Sequence, residues 1–185
     1  MNLLSVIIPV YNEAKTIEKI IEAVMAADVG NLKKELIIID DGSTDGTREI
    51  LKKFQNQYKI FYQSKNFGKG VAVRRGFQLA AGDIILIQDA DLEYNPNEYK
   101  FLIQPILDGH ADVVYGSRFV THLPHRVLYN HHYLANKLLT YFSNLLSNLN
   151  LSDVETCYKV FSRRALDKIK NCLISKRFGI EIETT

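Results

Sequence analysis

The sequence has few cysteines, little net charge and no long apolar run, and each absence excludes a class of protein. Its two cysteines, Cys157 and Cys172, are too far apart for a Cys-x-x-Cys pair and too few for a structural zinc cluster, so we expect reduced thiols in a cytosolic protein. The formal charge of only +2 argues against nucleic acid as a partner. No segment approaches the roughly 20 apolar residues that span a bilayer, which predicts a soluble or peripheral protein.

The length of 185 residues and a hydrophobic content of 46% fit one domain with a buried core. The short apolar run at the N-terminus lacks a basic leader, so it predicts a strand rather than a signal peptide. Residues 181–185 carry no closing helix signal, and we therefore expect a longer natural chain that has been truncated at its C-terminus.

Strands and helices alternate along the sequence, which predicts an α/β fold with a mostly parallel sheet flanked by helices. The predicted strands, most of them nearly continuous in apolar residues, cover residues 3–10, 35–40, 59–63, 83–88, 111–115 and 157–161. Apolar residues at helical spacing or helix-start signals predict helices at residues 17–24, 47–54, 70–81, 97–107, 133–149 and 163–171.

The stretch 84–93 changes abruptly from apolar to acidic residues and organises the functional argument. Alternate residues of an extended segment point the same way, so Asp89, Asp91 and Glu93 are expected to face solvent together. A divalent cation would relieve their mutual repulsion, and hard carboxylate oxygens suit Mg²⁺ or Mn²⁺. Taken alone, the stretch fits a solvated acidic turn equally well.

Other polar clusters also follow predicted strands directly, at residues 11–13, 40–43 and 117–118. In an open parallel sheet, ligands bind beyond the carboxyl ends of the strands. The sequence therefore predicts one crevice that collects all of these clusters.

A series of motifs, in this order along nearly the whole chain, resembles family 2 glycosyltransferases with the GT-A fold, which is Rossmann-like. The motifs are residues 5–13, 38–47, 66–70, 82–83 and 89–91. Segments 66–76, 88–93 and 155–161 look most like the branch that transfers sugars to dolichyl or polyprenyl phosphate, of the dolichol-phosphate mannosyltransferase type. Val73 stands where many relatives that glycosylate saccharides carry arginine, and this departure favours the lipid-phosphate branch.

The resemblance implies a UDP- or GDP-sugar donor and assigns residues to it. Asp41 would accept a base N–H, and Lys69 and Arg74 would lie near the donor phosphates, although solvation of a helix surface also explains these two cations. The residues that border the nucleoside, reach the ribose or hold the metal would be Pro9, Tyr11 and Glu13, then Asp89, Ala90 and Asp91, with Glu93 in the third metal position. Mg²⁺ and Mn²⁺ both remain open as the cofactor.

The resemblance also implies an inverting reaction in which a lipid phosphate attacks the sugar carbon. The phosphate is largely ionised at neutral pH because its second pKa is near 6. Asp153 is the first candidate for a base or orienting carboxylate and Glu155 the second, but a turn cap explains Asp153 equally well. Arg118 and Arg126 are candidate clamps for the acceptor phosphate, since a guanidinium can bind phosphate through paired hydrogen bonds.

Residues 119–185 form the predicted acceptor and membrane-facing half of a single domain, after a nucleotide-sugar-binding half at residues 1–118. The helix at 133–149 has a broad apolar stripe, which we expect to pack on the core; the alternative is a surface helix that touches lipid. The histidines of segment 121–132 lack a helical His-x-x-x-His pattern, so zinc is disfavoured. His125 and Arg126 are instead expected in a loop over the acceptor.

The predicted protein is a metal-dependent sugar transferase, peripheral at the cytoplasmic face of the membrane, and the sequence leaves a homo-oligomer open. A polysaccharide acceptor and a nucleotide-sugar-binding protein without turnover are the alternatives. A haloacid-dehalogenase phosphatase is disfavoured because the Asp-x-Asp pair follows the fourth predicted strand rather than the first. A P-loop is excluded because Gly70 follows Lys69 and Gln63 occupies the first glycine position.

Overall fold

The computed structural model describes the backbone of residues 1–118 and 130–185, and the side chains of residues 1–118 and 133–185. Within these ranges the strands form one sheet in the order β3-β2-β1-β4-β6-β5. The strands are β1 (Leu3–Val10), β2 (Lys33–Asp40), β3 (Lys59–Tyr62), β4 (Ile84–Ile87), β5 (Val113–Tyr115) and β6 (Lys159–Ser162). β1 to β4 pair in parallel and β6 runs antiparallel to both of its neighbours, which confirms the predicted mostly parallel α/β sheet.

The helices of the described residues lie at or near their predicted positions, with one addition. They are α1 (Ile17–Ala26), α2 (Thr47–Lys52), α3 (Lys69–Leu79), α4 (Tyr99–Leu107, after a 3₁₀ turn at Pro96–Glu98), α5 (Asn130–Ser147), α6 (Arg163–Ile169) and α7 (Gly179–Glu183). The additional helix, α7, lies where the sequence carries no helix signal. α7 is only five residues long. Burial of Ile180 and Glu181 against the rest of the protein stabilises this helix, which local sequence signals do not predict.

Two hydrophobic cores, one on each face of the sheet, explain why the central strands are apolar throughout. Val6 and Ile8 of β1 point into the core that contains α1 and α4. Ile7 points into the other core, with residues of α3, α6 and α7. Because both faces of β1 are covered, strict apolar–polar alternation is absent.

The order of the strands places a topological switch point between β1 and β4. The chain proceeds from β1 to β2 and β3 on one side, then returns to pair β4 with the other edge of β1. In open α/β sheets a crevice forms at the carboxyl ends of strands at such a point. The loop after Val10 and the acidic segment after Ile87 therefore border the same crevice.

Gly76 lets α3 pack closely on β1, and this contact generates a stability prediction. A β-carbon at position 76 would overlap the buried Ile7 side chain. We expect Gly76→Ala to destabilise the protein by about 1–3 kcal/mol through overpacking, although alanine is normally the better helix former. Urea denaturation measures this; Gly179→Ala, which meets nothing closer than the Ser175 hydroxyl at 3.2 Å, is the matched control. Equal stability of both variants would contradict tight packing at Gly76.

Candidate active site

The loops after β1 and β2 are held together by reciprocal hydrogen bonds. The Asn12 N–H donates to Ser43 Oγ at 2.9 Å, and the Thr44 N–H donates to Asn12 Oδ1 at 2.8 Å. Asn12 adopts a left-handed backbone with φ of 57°, a conformation that asparagine tolerates better than most residues. These bonds fix the loop that presents the exposed Tyr11 ring at the crevice. The candidate nucleoside-bordering residues Pro9, Tyr11 and Glu13 all lie at this end of β1.

Asp41 is a buried carboxylate that supports the next loop along the crevice. Its Oδ1 accepts from Gln63 Nε2 and from the Phe67 N–H, both at 2.8 Å, and its Oδ2 accepts from the Gly68 N–H at 2.7 Å. A carboxylate offers about four acceptor sites, so these three bonds leave one. The role of Asp41 toward a base N–H thus stays a prediction, while its support of residues 67–68 is a structural role that the sequence analysis missed.

A buried hydrogen-bond network fixes the point where β4 ends. The Gln88 side chain accepts from the Tyr99 hydroxyl at 2.8 Å and from the Tyr158 hydroxyl at 3.0 Å, and it donates to the Asp89 carbonyl at 2.9 Å. Gln88 is fully buried, so the network leaves it one orientation. The backbone that carries Asp89, Ala90 and Asp91 therefore starts from a rigid position.

The acidic segment turns instead of staying extended, which corrects one expectation. Leu92 has a left-handed φ of 64°, and the Glu93 N–H donates to Asp91 Oδ1 at 2.9 Å. Asp91 thus uses one carboxylate oxygen to stabilise a local turn, as aspartate often does. Simple alternation along a strand does not describe the directions of Asp89, Asp91 and Glu93.

The acidic side chains nevertheless influence one another, and the pKa of Asp91 reflects this. Partial desolvation raises the pKa of Asp91 above its usual value, and the negative charges of Asp89, Glu93 and Glu13 raise it further. The influence of Glu13 places the β1 loop and the β4 loop around the same charge. Asp89 differs, because Lys69 Nζ lies 2.8 Å from its Oδ1.

The carboxylates of this segment fit a divalent cation that also binds substrate oxygens. Among the residues with described side chains, no three histidine, cysteine or acidic groups converge to hold a metal by themselves. Mg²⁺ is commonly held by one or two carboxylates together with phosphate oxygens and waters, and Asp91 with its acidic neighbours meets that requirement. A bound cation would also lower the repulsion that raises the pKa of Asp91.

The two predicted phosphate cations have different surroundings. Lys69 lies at the crevice, between Asp89 and the Glu181 carboxylate at 2.7 Å, and only 16% of its side chain is exposed. Burial disfavours the charged ammonium, but the carboxylates around it raise the pKa of Lys69 well above its usual value. Arg74 donates to the Leu173 carbonyl at 2.9 Å and lines a separate cavity of about 500 Å³ beside β3. The structure therefore joins Lys69, but not Arg74, to the acids by direct contact.

The candidate acceptor residues form a second charged cluster. Arg118 makes a bidentate pair with Asp153, from Nε to Oδ2 at 2.7 Å and from Nη2 to Oδ1 at 2.8 Å. Burial raises the pKa of Asp153, but the Arg118 guanidinium outweighs it and holds that pKa below its usual value. A carboxylate so paired orients neighbours better than it takes up protons. Asn136 Nδ2 bridges Asp153 at 2.9 Å and the exposed Glu155 at 3.1 Å.

Arg126 and His125 lie outside the described residues, so their predicted roles at the acceptor stay predictions. The same holds for the loop that we expect over the acceptor.

Helix α5 has its polar side turned inward, which overturns the expectation that its apolar stripe packs on the core. Asn136 and Thr140 are buried, and the Thr140 hydroxyl accepts from the Val154 N–H at 3.1 Å. The leucine and aromatic side chains point outward, with Leu146 87% exposed. The apolar stripe of α5 consists of Leu134, Leu138, Leu139, Tyr141, Phe142, Leu145 and Leu146, and the exposed Leu149 follows just beyond the end of the helix. None of the described helices is long and apolar enough to cross a membrane.

A buried ion pair that the sequence analysis missed lies behind the crevice. Lys159 is fully buried in β6, and its Nζ lies 3.0 Å from Glu181 Oε2. Burial lowers the pKa of Lys159, and the nearby Glu181 carboxylate opposes this shift. The lone lysine in an otherwise apolar predicted strand was the available signal, since a buried cation needs a partner. Nothing in the local sequence identifies Glu181 as that partner.

The parallel sheet, the switch-point crevice and the acidic segment together define an α/β protein with a polar crevice at the carboxyl ends of its strands. The family model "Glycosyl transferase family 2" matches residues 5–170, and the chain belongs to this family. The predicted family and fold are therefore confirmed.

The names of two curated relatives include a lipid phosphate. Dolichol-phosphate mannosyltransferase of Pyrococcus furiosus is 38% identical over 118 residues, covering 63% of this chain and 33% of that protein. Undecaprenyl-phosphate 4-deoxy-4-formamido-L-arabinose transferase of Aeromonas hydrophila is 29% identical over 177 residues, covering 93% of this chain and 52% of that protein. The chain thus spans from about a third to about half of these relatives.

A solved structure supports the fold. Glucosyl-3-phosphoglycerate synthase from Mycobacterium tuberculosis, crystallised with Mn²⁺, UDP and phosphoglyceric acid, superimposes with a TM-score of 0.70. The match covers 98% of this chain and 62% of that chain at 24% identity, so it carries the fold alone.

Neutralising Asp91 should stabilise the folded protein rather than destabilise it. Because the folded-state pKa of Asp91 is raised, its ionised form destabilises the fold at neutral pH. We expect Asp91→Asn, which keeps the Oδ1 acceptor, to raise Tm by about 1–2 °C at pH 7, since solvent screening limits the repulsion. The difference should shrink as pH falls through the folded pKa and vanish below about 3.9, the value in the unfolded chain.

Asp28→Asn is the control of opposite sign. A hydrogen bond from Lys100 lowers the pKa of Asp28, so its neutralisation should leave Tm unchanged or lower it. Thermal melts of both variants against pH make the comparison. A clear loss of stability in Asp91→Asn at pH 7 would contradict the conclusion that the ionised Asp91 carboxylate destabilises the fold.

Proposed function

We propose that the protein transfers a sugar from a nucleoside-diphosphate sugar to a polyprenyl or dolichyl phosphate with the help of Mg²⁺ or Mn²⁺. The observation that carries the proposal is the position of Asp91 at the β1/β4 switch point, beside Asp89 and its partner Lys69. The family match makes sugar transfer the chemistry to expect at that position.

On the donor side, the residues around the acids would bind and orient the diphosphate. Asp91 and its acidic neighbours would hold the cation, which neutralises negative charge on the departing nucleoside diphosphate. Lys69 adds a positive charge within a largely buried environment, where it acts more strongly than in water. Tyr11 and the Asp41-supported loop would border the nucleoside; UDP and GDP both fit these features.

On the acceptor side, a phosphate oxygen would form the new bond to the sugar carbon while that carbon's bond to the donor phosphate breaks. The leaving nucleoside diphosphate takes the bonding electron pair, and attack from the opposite face inverts the carbon. The acceptor phosphate is mostly ionised at neutral pH, so no side chain has to remove a proton. Arg118 would bind this phosphate, and Asp153 would orient Arg118 through their bidentate pair.

Two observations favour a lipid phosphate over a saccharide acceptor. The relatives named above include transferases whose names specify dolichol phosphate and undecaprenyl phosphate. The apolar stripe of α5 also lies on the outer side of the helix that supplies Asn136 to the Asp153 cluster. We propose that this stripe rests on the cytoplasmic face of the membrane, since a contiguous exposed apolar surface is typical of such contacts.

A donor panel tests the transfer. Purified protein with UDP- and GDP-sugars, Mn²⁺ or Mg²⁺ and a short-chain polyprenyl phosphate should yield a lipid-linked sugar with one donor. Chelation by EDTA should abolish the product, and Asp91→Ala should lower the rate by more than about 100-fold because the charge on the leaving group is no longer neutralised.

Asp112→Ala is the control, because Asp112 pairs with Arg164 on the surface away from the acids. Full activity of Asp91→Ala would make the metal assignment wrong. Transfer to soluble saccharides alone would replace the lipid acceptor by a polysaccharide, and nucleotide-sugar binding without any turnover would favour a binding protein.

Vesicle binding tests the α5 contact. We expect the double variant Leu138→Glu/Leu146→Glu to lose more than about tenfold in affinity for anionic phospholipid vesicles, because both exposed leucines would otherwise enter the interface. Phe101→Glu on α4, where the aromatic side chain is 77% exposed, is the matched control and should bind normally. Unchanged vesicle binding by the α5 variant, or a dimer that these substitutions dissociate, would overturn the membrane contact.

A further inference from the structure

The C-terminal segment, residues 173–185, packs directly on the first turns of α3, where Lys69 lies. The Val71 N–H donates to the Lys176 carbonyl at 3.3 Å, and Arg74 Nη1 donates to the Leu173 carbonyl at 2.9 Å. At Gly70 a β-carbon would overlap the Ser175 carbonyl, so the two backbones approach as closely as glycine permits. The start of α3 is therefore shaped by residues about 100 positions later in the sequence.

Glu181 projects from α7 of this segment and divides its carboxylate between two lysines. Oε1 lies 2.7 Å from Lys69 Nζ, and Oε2 lies 3.0 Å from Lys159 Nζ. Glu181 is only 5% exposed and Lys159 is fully buried, so both contacts operate away from bulk solvent. Asp89, Lys69, Glu181 and Lys159 thus form a row of alternating charges that leads from the crevice into the protein.

The inner end of this row is the fixed end. Besides Glu181, the Lys159 ammonium donates to the Val154 carbonyl at 2.9 Å and to the Thr156 carbonyl at 3.1 Å. Three acceptors satisfy all three N–H bonds of a lysine, which leaves Lys159 no alternative orientation. Glu181 is held by Lys159 and by α7, and its second oxygen reaches toward the crevice from a rigid base.

Lys69 lies nearer the crevice and is held only through its side chain. That side chain is long and starts from the first turn of α3, and its ammonium contacts Asp89 and Glu181. Asp89 alone would hold the ammonium from one side only. The Glu181 contact restricts the ammonium to the space between the two carboxylates, beside the position of the donor diphosphate.

We propose that Glu181 is a positioning residue that acts through Lys69: anchored by Lys159, it holds the Lys69 ammonium at the donor diphosphate. This inference rests on the proposed function, because it takes a nucleoside diphosphate as the ligand of the crevice. Glu181 then supports the donor site through Lys69 and does not contact the ligand itself.

A double-mutant cycle on nucleotide binding tests the inference. Isothermal titration calorimetry would measure UDP and GDP, each with Mn²⁺, against the purified protein and its Glu181→Gln, Lys69→Met and doubly substituted forms. We expect each single substitution to weaken binding of the preferred nucleotide about tenfold, the effect of one charge-assisted hydrogen bond. The double variant should bind no more weakly than Lys69→Met alone, because Glu181 acts only through that lysine.

A second pair of variants separates positioning from stability. Glu181→Gln leaves Lys159 buried without its counter-charge and should lower Tm, whereas Glu181→Gln/Lys159→Met removes both charges and should recover Tm but not nucleotide affinity. Glu183→Gln is the matched control on α7. Glu183 accepts from the Ile174 and Ser175 N–H groups, so its substitution should affect Tm and leave nucleotide affinity unchanged.

Three results would overturn the inference: additive losses from Lys69→Met and Glu181→Gln, normal nucleotide affinity in folded Glu181→Gln, or affinity restored by Lys159→Met. Failure of the unsubstituted protein to bind either nucleotide would instead overturn the proposed function, and the inference with it.

Discussion

Negative charge concentrated at the carboxyl end of β4 is the constraint on which the site depends. The strand order brings the β1 loop with Glu13 to the same crevice. The hydrogen bonds of Gln88 fix the backbone position from which the acidic segment starts. Lys69 pairs with Asp89, whereas partial burial and then the neighbouring negative charges raise the pKa of Asp91. In the function that we propose, a cation and a diphosphate would offset the negative charge at this position.

The proposed acceptor side follows a different principle: among the described residues, its buried polar side chains pair with one another while the apolar side chains of α5 are exposed. Asp153 is satisfied by Arg118 and Asn136, and Thr140 closes the adjacent backbone through the Val154 N–H. Because the polar side of α5 faces the protein to make these hydrogen bonds, its leucines face outward. One helix thereby links the charged cluster to an apolar surface, the combination that a lipid phosphate requires.

Sequence patterns predicted the sheet well because its strands rest on local signals. Continuous apolar runs identified β1 and β4, and turn residues marked the loops after them. Periodicity revealed that α5 is amphipathic, but it cannot tell which side faces the protein; the hydrogen bonds of Asn136 decided that. Alternation failed after Gln88 because a local Asx-type turn at Asp91 replaced the extended backbone.

The partners of Lys69 and Lys159 lay beyond sequence reasoning for another reason. Glu181 is more than 100 residues from Lys69 and belongs to a five-residue helix that only tertiary packing stabilises. Arg126 and the predicted acceptor loop fall outside the described residues, so their roles stay predictions. Local sequence patterns thus indicated which residues are candidates for the site, while long-range packing determined which partners hold them.

The most direct test of a metal–diphosphate site at the end of β4 is an anomalous-diffraction map of crystals grown with Mn²⁺ and UDP or GDP. The account predicts one strong manganese peak in coordination contact with the Asp91 carboxylate and with oxygens of the nucleotide diphosphate. A nucleotide bound with its diphosphate away from Asp91, or a manganese peak at another group of side chains, would contradict it.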